Sequence, residues 1–117
     1  MKKMICMAAA LWFMAAGLFA QRVDTVEVKS AAMNAAFKCV VVLPAGYDEN
    51  VRERYPVVYL LHGHGGRYNS WIKLKPELPQ IASQRGMIIV CPDAKNSWYW
   101  DSPVDPGSRF ETYVAKE

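Results

Sequence analysis

This chain carries little nucleophile or metal-ligand chemistry. It has three cysteines and two histidines in 117 residues. Cys6 falls in an apolar leader, which leaves Cys39 and Cys91. Two cysteines do not make a disulfide framework. Neither has a His neighbour or a Cys-x-x-Cys partner, so neither reads as a redox or zinc ligand. Each lies in an apolar run, where cysteine acts as a small buried hydrophobe, and the pair is expected unbridged. No Gly-x-Ser-x-Gly occurs, and no Gly-Lys-Ser or Gly-Lys-Thr; a nucleophile elbow and a phosphate loop are therefore missing from this stretch. Glycine and proline number 7 each, too few for a collagen-like or low-complexity chain. Charge of one sign is also missing. The formal net charge is +3, and it drops to +1 without Lys2 and Lys3. That balance excludes a nucleic-acid footprint and a polybasic membrane patch. With 52% hydrophobic residues the chain is not disordered, and its length allows one domain at most.

Residues 1–20 read as a secretory signal peptide. Lys2 and Lys3 form a positive start, Met4 to Phe19 carries no charge, and Ala20 precedes polar Gln21 and Arg22. The apolar run falls short of the roughly 20 residues that span a bilayer, so no stable membrane anchor is expected. Cys6 lies too early to accept a lipid. The expected destination is secreted or periplasmic, with residues 21–117 as the mature part.

The mature part predicts an α/β fold. Val23 to Val28 is β-branched, and Ala36 to Leu43 alternates with Phe37, Cys39, Val41 and Leu43 on one face. With Ser30 to Asn34 as the reversal, they form an antiparallel pair. Val57 to Leu61 and Met87 to Cys91 are continuous apolar runs, as in parallel strands buried on both faces. Between them, Leu78 to Gln84 has helical spacing and Gly86 is the stop. Ser108 and Glu111 form a capping box that starts a helix running to Glu117.

The chemistry gathers after the first buried strand, in Leu60-Leu61-His62-Gly63-His64-Gly65-Gly66. A glycine-rich turn there brings backbone N–H groups close to a ligand. Two readings fit: an oxyanion-binding loop of the kind found after the third strand of an α/β-hydrolase, or a tight strand-to-loop turn without a catalytic task. A metal reading of His62 and His64 has no third ligand close in sequence.

The run from Arg54 to Gly66 resembles the esterase family of α/β-hydrolases, which includes esterase D-like enzymes, feruloyl and acetyl-xylan esterases and the antigen 85 mycolyltransferases. Asn69-Ser70-Trp71, Ile88 to Asp93, Asn96 to Pro103 and Arg109 to Val114 match further family segments in order, so the resemblance covers Val23 to Glu117. It implies the amino-terminal part of an α/β-hydrolase sheet, incomplete, with no cofactor and no metal. The backbone N–H of His64 is then the first oxyanion donor and Gly65 the next, while His62 orders the loop. Trp98, Tyr99 and Asp101, after a strand's carboxyl end, face a small-molecule or polysaccharide-linked ester. Catalytic Ser, Asp or Glu, and His are expected downstream of Glu117. The implied activity is a secreted serine carboxylesterase. An acyltransferase of the same family and a non-catalytic remnant or binding module are the alternatives.

Overall fold

The computed structural model describes residues 21–117; the leader expected over residues 1–20 lies outside them. Strand β1 (Arg22–Ser30) turns through Ala31–Asn34 into β2 (Ala35–Leu43) as an antiparallel hairpin. Strand β3 (Val57–Tyr59) leads through the glycine loop to the short helix α1 (Ser70–Leu74). Helix α2 (Leu78–Arg85), strand β4 (Ile88–Pro92) and helix α3 (Phe110–Lys116) follow. The sheet order is β1-β2-β4-β3, with β4 antiparallel to β2 and parallel to β3. This is a mixed α/β sheet, as the apolar runs and the hairpin signal predicted.

Its two faces carry separate cores, because alternate residues of a strand point to opposite sides. Val40, Val42, Ile89 and Cys91 pack under Leu78 and Ala82 of α2. Phe37 and Ala94 pack on the other face against Phe110 and Tyr113 of α3. The register pairs Val40 with Cys91 and Cys39 with Pro92. The two cysteines therefore sit on adjacent strands but opposite faces, both buried and free. Burial pushes both thiols up, Cys91 to about 11, which makes them inert at neutral pH.

The structure departs from the sequence pattern at three places. β3 is shorter than the apolar run Val57 to Leu61 and lies at one edge of the described sheet, where Val57, Val58 and Tyr59 are exposed. A continuous apolar run cannot tell an edge from a centre. Second, α1 has five residues, too short to show a helical period, and it went unpredicted. Third, Ser108 does not cap α3. Its N–H donates to the Asp105 carbonyl and its own carbonyl accepts from Ser102 N–H. The cap comes from Asp101, which the isolated bridge to Arg109 brings alongside the helix. Thr112 donates to Asp101 through its backbone N–H (3.0 Å) and its hydroxyl (2.6 Å). These bonds, with the Arg109 guanidinium 3.1 Å away, hold the Asp101 carboxyl down at about 2.

Candidate active site: the oxyanion loop

The glycine loop leaves β3 at the carboxyl end of the parallel pair, where open α/β sheets place ligands. Its exit is fixed from two sides. Leu60 N–H still donates to Val90 on β4, and the Trp71 indole N–H donates to the Leu61 carbonyl at 3.0 Å. Trp71 packs against the α2-side core, so this side chain ties α1 to the strand end.

His62 is buried at the root of the loop. Its Nε2 accepts the Ala94 N–H at 3.0 Å, so that nitrogen carries no proton. The bond pattern thereby assigns the proton to Nδ1, which donates to the Gly63 carbonyl at 2.8 Å. Asp93 approaches His62 Nε2 only to 3.8 Å. Its carboxylate is occupied instead by Lys95 N–H (2.8 Å) and Tyr68 N–H (3.4 Å). His62 thus orders the loop, with both ring nitrogens bound to backbone.

Two glycines shape the turn. Gly65 has φ +79°, in the left-handed region where a side chain is strained. A Cβ on Gly66 would lie 2.9 Å from the Gly63 oxygen and 3.0 Å from the His62 side chain, too close to be built.

The loop's N–H groups divide sharply. Gly66 donates to Gly63 O, Arg67 to Ser70 Oγ, Tyr68 to Asp93, and Gly65 to Asn96 Oδ1 at 2.8 Å. Those of Leu61, His62, Gly63 and His64 find no acceptor among the described residues. An oxyanion donor has to be unspent before the charge develops. His64 meets that requirement; Gly65 already spends its donor on Asn96.

The segment after β4 closes over this loop. The Trp98 ring stacks on the His64 imidazole, with centroids 4.8 Å apart and planes 17° apart, and stays 73% exposed. The Tyr99 hydroxyl turns inward and donates to the His62 carbonyl at 2.8 Å. Burial is the main cause that raises this phenol to about 12, so it remains a donor. Of the three residues assigned to the substrate side by resemblance, the structure places Trp98 on the open side of the loop, Tyr99 against the loop backbone, and Asp101 at the head of α3. Asn96 belongs to this set. Its residue type carried no signal, because its role depends on a partner 31 residues away. A cleft of about 360 Å³ is lined by Gly65–Arg67, Asp93, Lys95 and Asn96, and one of about 140 Å³ by His62–His64, Lys95, Trp98 and Tyr99.

A sheet with this strand order and a glycine loop with unspent donors after β3 define the opening section of an α/β-hydrolase. The family described as "Putative esterase" matches residues 30–117, and the chain belongs to it. Solved structures agree. A ferulic acid esterase shares 30% identity with a TM-score of 0.68, over 85% of this chain and 42% of its own. The ferulic acid esterase of Anaeromyces mucronatus, determined with ferulic acid, shares 25% identity at a TM-score of 0.57, over 86% of this chain and 42% of its own. An S-formylglutathione hydrolase from Agrobacterium tumefaciens shares the fold at 22% identity and a TM-score of 0.68, over 84% of this chain and 42% of its own. The chain therefore spans less than half the length of these relatives. No curated protein matches it.

Proposed function

We propose that the complete protein is an exported serine carboxylesterase, and that this chain supplies its oxyanion side. The observation that carries this reading is the unspent N–H of His64, with that of Gly63 before it, next to the Gly65–Tyr68 stretch whose donors are all used. In ester hydrolysis a serine oxygen attacks the acyl carbon, and the carbonyl oxygen becomes an anion. A backbone N–H fixed at that position lowers the barrier by about 3–4 kcal/mol per donor. The His64 N–H is that donor here. The serine, its histidine base and the acid that orients the base belong to the part of the fold beyond Glu117, in the order Ser, acid, His. No cofactor or metal is required, because the charge is met by backbone dipoles.

Export is supported by the sequence of residues 1–20. The esters are proposed to be acyl groups on polysaccharides. The similarity to ferulic acid esterases supports this, as does the exposed face of Trp98, open to a sugar or aryl ring beside the oxyanion site. The test is hydrolysis by the complete protein. It should cleave p-nitrophenyl acetate and methyl ferulate without added metal, and release acids from acylated xylan. Failure on every ester would overturn the reading. Transfer of the acyl group to an added alcohol in preference to water would identify the acyltransferase instead.

A further inference from the structure

Residues Ala94–Tyr99 are tied to the oxyanion loop at four points. Ala94 N–H meets His62 Nε2 at 3.0 Å, and Asn96 Oδ1 accepts the Gly65 N–H at 2.8 Å. The Tyr99 hydroxyl meets the His62 carbonyl at 2.8 Å, and Trp98 stacks on His64. The segment is held in a costly shape. Lys95, Trp98 and Tyr99 have φ of 48°, 58° and 58°. Left-handed backbone costs a residue with a side chain roughly 1–2 kcal/mol. Trp98 gains little burial in return, since it is largely exposed. Strain of this kind persists only where surrounding contacts over-determine it. Those contacts lie on the loop, to either side of His64.

Their placement is selective. One bond holds the His62 carbonyl and another holds the Gly65 N–H, so the chain is gripped before and after His64 while the His64 N–H itself stays unspent. A loop containing Gly63, Gly65 and Gly66 has a large conformational freedom of its own. A donor on such a loop stabilises an anion well only if its direction is set beforehand.

We propose that Tyr99 and Asn96 are positioning residues that grip the loop on either side of His64 and aim its N–H at the developing oxyanion. The proposal rests on the esterase reading. Neither side chain has to touch the substrate; Tyr99 acts through the His62 carbonyl and Asn96 through the Gly65 N–H.

The experiment uses the complete esterase with Tyr99→Phe and Asn96→Ala. Tyr99→Phe keeps the ring that packs 5.5 Å from His62 and removes only the hydroxyl. Active sites are counted with a phosphonate titrant, so that loss of folded protein does not enter. Each variant should lose kcat by about 10- to 100-fold with KM within about 2-fold, the mark of an interaction realised in the transition state. Amide exchange at Gly65 should speed up by at least about 10-fold in Asn96→Ala while the β2 and β4 amides keep their protection. A variant that keeps wild-type kcat per titrated site overturns the proposal, and so does a rise in KM at unchanged kcat. A wild-type protein that hydrolyses no ester overturns the esterase reading first, and the proposal with it.

Discussion

At the residue scale, the loop separates one glycine that tolerates a side chain, Gly63, from two that do not, Gly65 at positive φ and Gly66 in a tight contact. A Cβ at Gly63 meets nothing within 4 Å, whereas at Gly66 it meets the Gly63 carbonyl and His62. Gly63→Ala should therefore leave thermal stability close to that of the parent. Gly66→Ala should lower it by about 1–3 kcal/mol through overpacking and cut esterase kcat about 100-fold by shifting His64. Calorimetry and steady-state kinetics on the two variants check both halves, and equal behaviour would refute the geometry. His64→Ala should lose less activity than Gly66→Ala, because the donor is backbone. Asp101 supplies a pH dependence. Its carboxyl is held at about 2, below the ordinary carboxylate value, chiefly by its bonds to Thr112. A depressed value means the cap contributes fully above the unfolded carboxylate pKa near 4 and is lost as pH falls towards 2. Helical circular dichroism followed from pH 5 to pH 2 should show that loss in the parent, and Asp101→Ala should flatten it. Much of this scale was legible beforehand. The glycine-rich turn after an apolar strand is readable from the sequence, and the structure leaves the His64 N–H without an acceptor among the described residues. Gly65's commitment to Asn96 and Asp101's place at α3 were not legible, because each depends on a partner brought close by the fold.

At the element scale, α2 and the hairpin followed their local signals closely. Leu78 and Ala82 face the core at helical spacing, and Gly86 ends the helix at φ +59° with Met87 N–H donating to Ala82. The strands β2 and β4 carry the centre of the sheet, where Val42 and Ile89 are almost fully buried. Ile89→Ala should cost about 2–5 kcal/mol, while Val23→Ala on the exposed side of β1 should stay within about 0.5 kcal/mol; chemical denaturation of both distinguishes them. Elements that local pattern could not reach have physical reasons. α1 is shorter than two helical turns, so no periodicity develops in Ser70–Leu74. Ser108 and Glu111 match the capping-box spacing, yet the helix begins at Phe110 and takes its cap from Asp101, at the far end of a pinched loop. A local pattern supplies the helix, and a long-range contact decides its start.

At the scale of the whole molecule, β3 is the edge of the described sheet, and it presents Val57, Val58 and Tyr59 to solvent with Leu61 just beyond. Exposed apolar edges template association. The 117-residue chain expressed without residues 1–20 should therefore run as oligomers in size-exclusion chromatography and show no p-nitrophenyl acetate hydrolysis above a heat-treated control. A monomer with saturable ester turnover would contradict that. The same strand end carries the glycine loop, held by His62, Trp71 and the Ala94–Tyr99 segment. The central claim is that this assembly binds the oxyanion of an acyl transfer through His64. A crystal structure of the complete protein with a covalently bound phosphonate ester tests it most directly. The account predicts a phosphoryl oxygen about 2.7–3.1 Å from His64 N, with Gly65 N–H still on Asn96. A phosphoryl oxygen held by other groups, with His64 N–H turned away from it, would contradict the account.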